Sequence, residues 1–380
     1  MNKKLLVTSA LASSLIFLGG NAIAQTKIDG TLTLGYKQVY LDSAERKIAD
    51  KNGLGREAQL NISNSGNLSV GGLKYAAGFS LEFDGAQERE VVGTGATGAT
   101  GGGLNSSISN ENTYVDIIAG NTNFTFGIDH IQNSDRTTAN FIGLNVEDLD
   151  NAGDTFFLSS TGANPKESMG AGIMQKTPFG TFSALYVPNN GQQGADDDLD
   201  RNFDQNAQAT NAENKDRSSA YEVGFAGNLG IKGLNVHAFE NKEKASPGAF
   251  NDSKDLKGQN FGASYNFGQL TLGVDRKKSE GLYASNTTTN IANRDAVITQ
   301  TAFGLAYALT PTLTIGASYA KADTSNVISA VADDKYMGVA IGYNLGPVVA
   351  EAQYGQYENP KGVASNADYD VFYARLSTKF

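Results

Sequence analysis

Carboxylates are the side chains best able to do chemistry in this chain, and they gather in two places. Glu147, Asp148, Asp150 and Asp154 crowd one stretch, and Asp196, Asp198 and Asp200 fall in the run Asp196-Asp-Asp-Leu-Asp200. Acids so spaced can remain a solvated loop surface, hold a cation such as Ca²⁺ through their oxygens, or set a field that sorts passing ions. The 196–200 run lacks the spaced ligands, glycine and closing glutamate of a dedicated calcium loop, so solvated charge outranks calcium there. His130 and His237 are the only histidines, which leaves little for proton transfer or metal binding. A Ser-His-Asp hydrolase is set by space and not by chain order, yet neither a GxSxG elbow nor a His-Glu-x-x-His metal motif occurs. Gly93-Thr-Gly95-Ala-Thr-Gly98 has the spacing that cradles a pyrophosphate. Its glycines continue through 101–103 with no amphipathic helix behind them, which fits a glycine-rich loop better. No enzyme activity and no cofactor are expected. The formal net charge of −10, with basic residues dispersed, gives a nucleic acid no electrostatic hold.

The elements that must position these residues read as strands. Lys3 and Lys4, the apolar run Leu5 to Leu18 and the small-residue pattern Ala22-Ile23-Ala24 form an export signal, so residues 1–24 are expected to be removed and 25–380 to form the mature chain. Taking 24 residues from 380 leaves 356, and losing two lysines moves the formal charge from −10 to −12. With no Cys, no disulfide or thiolate site can stiffen the product. No apolar run of helix-spanning length follows the signal, while 44 Gly, 7 Pro and no Trp favour strands and turns over a helical bundle.

Phe261, Ala263, Tyr265 and Phe267 alternate with Asn260, Gly262, Ser264 and Asn266, and Leu270, Leu272 and Val274 repeat the scheme after Gly268-Gln269. This period of two marks a strand with one face in an apolar medium. Two more hairpins follow the same design, turning at Thr310-Pro311 and at Gly346-Pro347. Between the hairpins lie longer polar stretches, and short turns at one end with long loops at the other are the habit of outer-membrane barrels. The pattern gives sixteen strands, near 27–37, 56–64, 73–84, 111–119, 123–130, 168–177, 179–187, 219–229, 233–240, 258–267, 270–278, 298–309, 312–321, 335–345, 348–357 and 369–380. Thr155-Phe-Phe-Leu-Ser-Ser would make a seventeenth and is assigned to a loop, since such barrels have even counts. Outward Tyr36, Phe83, Tyr221, Tyr265, Tyr307, Tyr319, Tyr343, Tyr354 and Phe380 lie near strand ends, where aromatic girdles sit. The fold expected is an all-β, transmembrane, antiparallel up-and-down barrel. The competing reading is a secreted all-β surface or adhesion protein, with the same aromatics inside a sandwich.

The signal, the opening strand Ile28-Asp-Gly-Thr-Leu-Thr-Leu-Gly-Tyr36, the hairpin Phe303-Gly-Leu-Ala-Tyr-Ala-Leu-Thr-Pro-Thr-Leu-Thr314 and the terminal Tyr373-Ala-Arg-Leu-Ser-Thr-Lys-Phe380 resemble the Gram-negative general porins. The resemblance covers the mature chain. It implies a sixteen-stranded homotrimeric channel in the bacterial outer membrane, passing small hydrophilic solutes and ions by diffusion, with outer-membrane lipid and lipopolysaccharide as surroundings. It also implies that the third external loop, residues 131–167, folds into the lumen. Its Glu147, Asp148, Asp150 and Asp154 would then face basic residues on the wall, for which inward parity offers Lys37, Lys74 and Arg375. Members of this family often carry an arginine on the second strand, whereas Arg56 here shares the outward parity of Ala58, Leu60 and Ile62. The loop acids and the negative mature chain point to a mild cation preference. A channel specific for one solute is the alternative within the class.

Overall fold

The structure, a computed structural model, describes residues 25–41, 52–84, 107–128, 169–188, 217–245, 255–280, 297–325, 333–358 and 368–380. Alternation of polar and apolar side chains drives these segments into sixteen antiparallel strands. They are β1 (Gln25–Leu41), β2 (Asn52–Asn67), β3 (Lys74–Asp84), β4 (Ser107–Ala119), β5 (Thr122–Ile128), β6 (Gly170–Thr177), β7 (Gly180–Val187) and β8 (Arg217–Gly227). The second half comprises β9 (Leu234–Ala245), β10 (Leu256–Asn266), β11 (Leu270–Glu280), β12 (Val297–Ala308), β13 (Leu313–Ser325), β14 (Asp334–Asn344), β15 (Val348–Glu358) and β16 (Tyr369–Lys379). Each strand pairs with its neighbours in sequence, and β1 pairs with β16, so the sheet closes on itself and no edge is left.

Closure is sealed at the carboxy-terminus. Gly30 N donates to Phe380 O at 3.0 Å and Phe380 N donates to Gly30 O at 3.1 Å. The Phe380 ring lies over Gly30, where a Cβ would stand 2.7 Å from the ring and 2.5 Å from the Gln59 carbonyl oxygen. A terminal aromatic strand expected from sequence is therefore the last stave, fastened to the first.

Connections at one rim are two to six residues long, and at the other they run from eight to 41. Three of the short turns share the sequence Asn-x-Gly. The side-chain oxygens of Asn228, Asn266 and Asn344 accept the amides of Gly230, Gly268 and Gly346 at 2.8 to 2.9 Å. All three glycines have positive φ, from 77° to 93°, which a residue with a Cβ adopts at a cost. The expected continuation of β8 to residue 229 fails for a related reason: Leu229 itself has φ 54° and belongs to the turn. The candidate seventeenth strand at 155–160 lies outside the described residues.

The core is inverted relative to a globule. On β14 the outward residues Met337, Val339, Ile341 and Tyr343 are exposed, while inward Asp334, Tyr336 and Ala340 are buried. Across the described residues, every buried polar or charged side chain, from Ser80 and Asp116 to Asp334 and Gln353, has inward parity in the strand registers. Most large apolar side chains face out, while a few such as Leu185, Phe239 and Ile298 are buried on the inward side. A soluble sandwich would place them the other way, so the secreted-surface reading fails on hydropathy and the belt is a lipid-facing one.

Candidate functional site

Among the described residues the inner wall is the surface that is polar from rim to rim, so the chemistry of passage must be built there. Small residues keep it smooth. Inward Ala302, Ala306, Ala320 and Ala340 are buried against the sheet, and Tyr336 lies flat over two glycines. A Cβ on Gly338 or Gly355 would stand 2.2 or 2.6 Å from that side chain, so glycine at these two positions lets the ring hug the wall and stay out of the bore. Tyr336, Tyr357 and Tyr369 are successive cross-strand partners. Their ring centroids lie 4.9 and 4.6 Å apart, the second pair nearly parallel at 20°. They form an arc around the wall near the long-loop rim.

The charged side chains of the wall are held by neighbours on adjacent strands. His237 Nε2 is 3.0 Å from Asn260 Oδ1 and 3.1 Å from Asp275 Oδ2, all three buried. Beside them, Lys277 and Glu222 are likewise buried, and Asn241 Nδ2 reaches Glu222 Oε2 at 3.5 Å. Across the barrel Thr125 Oγ1 donates to Asp116 Oδ1, and Asn123 Nδ2 donates to Asp116 Oδ2 at 3.0 Å. Near the seam Asn61 Nδ2 donates to Asp29 Oδ1 at 3.1 Å and Lys27 Nζ is 2.5 Å from Asp29 Oδ2. Such pairing fixes where each charge stands, the condition for a static field across a channel.

The basic residues expected on the wall meet different fates. Arg375 has inward parity, and its Nε donates to Glu351 Oε2 of β15 at 2.5 Å, with its guanidinium 6.0 Å from the Tyr373 ring centroid. Its charge is thus matched by a carboxylate that the sequence reading did not single out. The backbone of Lys37 pairs with Tyr373 and Gly53, one pleat from Gly35, the partner of Arg375, so Lys37 and Arg375 share one region of the wall. The Lys37 side chain lies outside the described ones. Lys74 is the first residue of β3, exposed at the short-turn rim and away from the other two. Arg56 pairs with Leu34 on the outward parity, as expected. Glu147, Asp148, Asp150 and Asp154, the calcium candidates Asp196, Asp198 and Asp200, and His130 lie outside the described residues. Among the described residues no group of three or more His, Asp or Glu side chains is arranged to hold a metal. Glu222, Asp275, Lys277 and Glu351 were missed because single-strand alternation says which face a residue takes, and only the cross-strand register says which charges meet.

The Gram-negative porin family model matches residues 8–362. No curated protein matches the chain by sequence. Among solved structures, the chain is similar to the anion-selective porin of Comamonas acidovorans, with TM-score 0.62 and 13% identity, covering 94% of this chain and 100% of that one. It is also similar to the outer-membrane-expressed OmpT of Vibrio cholerae, with TM-score 0.57 and 12% identity over 96% and 99% of the two chains. A substituted form of the Rhodopseudomonas blastica porin gives TM-score 0.53 and 12% identity over 94% and 100%. At these identities the structural likeness speaks for the fold, and the family match speaks for the role. Family and fold alike are those of non-enzymatic channels. A closed sixteen-stranded barrel with a polar inner wall, a lipid-facing belt and this family match is a diffusion channel of the bacterial outer membrane, and the chain belongs to the Gram-negative porins.

Proposed function

We propose that the channel passes small hydrophilic solutes and ions without selecting one solute, and mildly prefers cations. The observation that carries this reading is the balance of charge on the wall. Among described inward side chains, the acids Asp29, Glu82, Asp116, Glu222, Glu243, Asp275, Asp334 and Glu351 face the bases Lys27, Lys74, Lys176, Lys277, Arg375 and Lys379. Residues 131–167 would add Glu147, Asp148, Asp150 and Asp154 opposite Lys37 and Arg375, forming the constriction, with Lys74 contributing only at the rim. The Comamonas porin is described as anion-selective, and at 13% identity that likeness carries no charge pattern across. A solute-specific channel would want aromatic faces open along the bore. The Tyr336–Tyr357–Tyr369 arc instead runs around the wall with each ring at most 5% exposed, which favours unspecific passage. The same reading makes residues 1–24 a cleaved signal, the assembly a homotrimer, and the partners outer-membrane lipid and lipopolysaccharide, with no catalytic step. Reversal potentials in a salt gradient across a planar bilayer test it. Cation preference is expected, reduced when Glu147, Asp148, Asp150 and Asp154 are changed together to Gln or Asn, and a clear anion preference would refute it.

A further inference from the structure

Charge is sorted along the axis of the bore. Twenty-four of the chain's 40 acids lie in the connections at the long-loop rim, against eleven of its 30 bases. The short turns, residues 68–73, 120–121, 178–179, 228–233, 267–269, 309–312 and 345–347, hold no acid and one base, Lys232, which is exposed. The strand ends beside them continue the pattern. Of the six described inward bases, four stand at this mouth: Lys27 near the start of β1, Lys74 opening β3, Lys176 near the end of β6 and Lys379 closing β16, all exposed. Asp29 matches Lys27 at 2.5 Å, the carboxy-terminus follows Lys379, and Asp116 lies one pleat inside Lys74, held by Asn123 and Thr125. The mouth is left net positive. On the rest of the inner wall Lys277 and Arg375 are the described bases that face the other inward acids.

We propose that these lysines make passage one-sided: the short-turn mouth gathers anions, the acidic remainder of the bore gathers cations, and current flows more readily when the long-loop compartment is the positive one. The proposal deepens the ion-passage reading above and rests on it. Fixed charge at an opening enriches counter-ions there, because low-dielectric walls focus its field into the water between them. With the long-loop side positive, anions are drawn inward from the basic mouth and cations are drawn toward it from the acidic interior. Each species leaves the segment that concentrates it, and the bore fills with carriers. With the polarity reversed, cations must enter past the lysines and anions past the acids, so each first meets the segment that excludes it and the bore is depleted. Inward parity is what puts these four lysines on the water path and not on the lipid face. Exposed ammonium groups on flexible stems act here as a field and not as a ligand set, so the effect needs no bound anion and must shrink as salt shortens the Debye length.

The test records single channels of the full-length mature protein in planar bilayers. KCl is set at about 0.1 M, where the Debye length is about 10 Å, and then at about 1 M, where it is about 3 Å. Ser69→Cys in the exposed turn 68–73, biotinylated and bound by streptavidin from one chamber, reports which way each channel lies. At the lower salt the wild type is expected to pass roughly 1.5-fold more current with the long-loop side positive than at the equal and opposite voltage, and this ratio is expected to approach one at the higher salt. K74Q/K176Q/K379Q is expected to lose the asymmetry, and K74R/K176R/K379R to keep it. Channels opened by the glutamine variant at the higher salt show that it folds. Equal asymmetry in the wild type and the glutamine variant, symmetric current in the wild type at the lower salt, or the opposite sign would overturn the role of the mouth while the ion-passage reading stands. A wild type that conducts no ions at all would sink both.

Discussion

The two faces of the same strands obey opposite rules. Outward, β14 presents Met337, Val339, Ile341 and Tyr343 to lipid; inward, two glycines, an alanine, an aspartate and a flat tyrosine line water. Among the described residues the outer face carries little charge within the belt, Arg276 opposite Phe261 being an exception, and it is indifferent to which apolar side chain fills a place. Away from the rims the inner face matches its charges with neighbours, as Glu351 matches Arg375 and Asn61 binds Asp29. Lipid-facing positions are thus set by hydropathy alone, while pore-facing positions are set by pairing. That difference decides how each should respond to change.

The comparison is broken most severely by charge on the lipid face. Ile341→Arg, in the exposed apolar run of β14, should cost about 2–4 kcal/mol of folding stability if it lies near the midplane, read as a lower urea midpoint in liposomes. Next is crowding of the inner wall. Gly355→Val would put side-chain atoms where the Tyr336 ring lies, 2.6 Å from its Cβ position. The cost should be about 1–3 kcal/mol, and single-channel conductance should fall as the ring swings into the bore. Smaller still is the unpairing of a wall charge. Arg375→Gln should change stability by about 0–1 kcal/mol yet shift the reversal potential toward cations, and Glu351→Gln should shift it toward anions.

The rim outside the membrane should respond least. Lys321 stands 2.8 Å from Asp333 and holds its carboxyl below the usual carboxylate range. A carboxyl depressed in the folded state adds stability that is present above its unfolded pKa and fades as pH falls through the folded one. Thermal stability of Lys321→Gln and wild type should therefore differ slightly at neutral pH and converge in strong acid.

The same contrast explains what the sequence could reveal. All sixteen strands were legible because hydropathy alternates wherever one face meets lipid, and short turns were legible from Gly268-Gln269, Thr310-Pro311 and Gly346-Pro347. The long-loop ends were not. β9 was expected to stop at 240 and runs to Ala245, and β13 was expected to stop at 321 and runs to Ser325. Above the belt both faces are wet, so Lys242 and Asp323 replace apolar residues and the alternation vanishes while backbone pairing continues. Arg375 could be put on the inner face by parity, but its partner Glu351 is 24 residues away in sequence. Only the register of β15 against β16 brings them together.

The claim beneath all of this is that adjacent residues of one strand meet lipid and water by turns. The chain has no cysteine, so Thr314→Cys and Ile315→Cys on β13, inward and outward in the register, can each be labelled alone. Reconstituted in liposomes and exposed to a charged, water-soluble maleimide, position 314 should react and position 315 should stay unlabelled until detergent is added. Labelling of 315 in intact liposomes with protection of 314 would contradict the account.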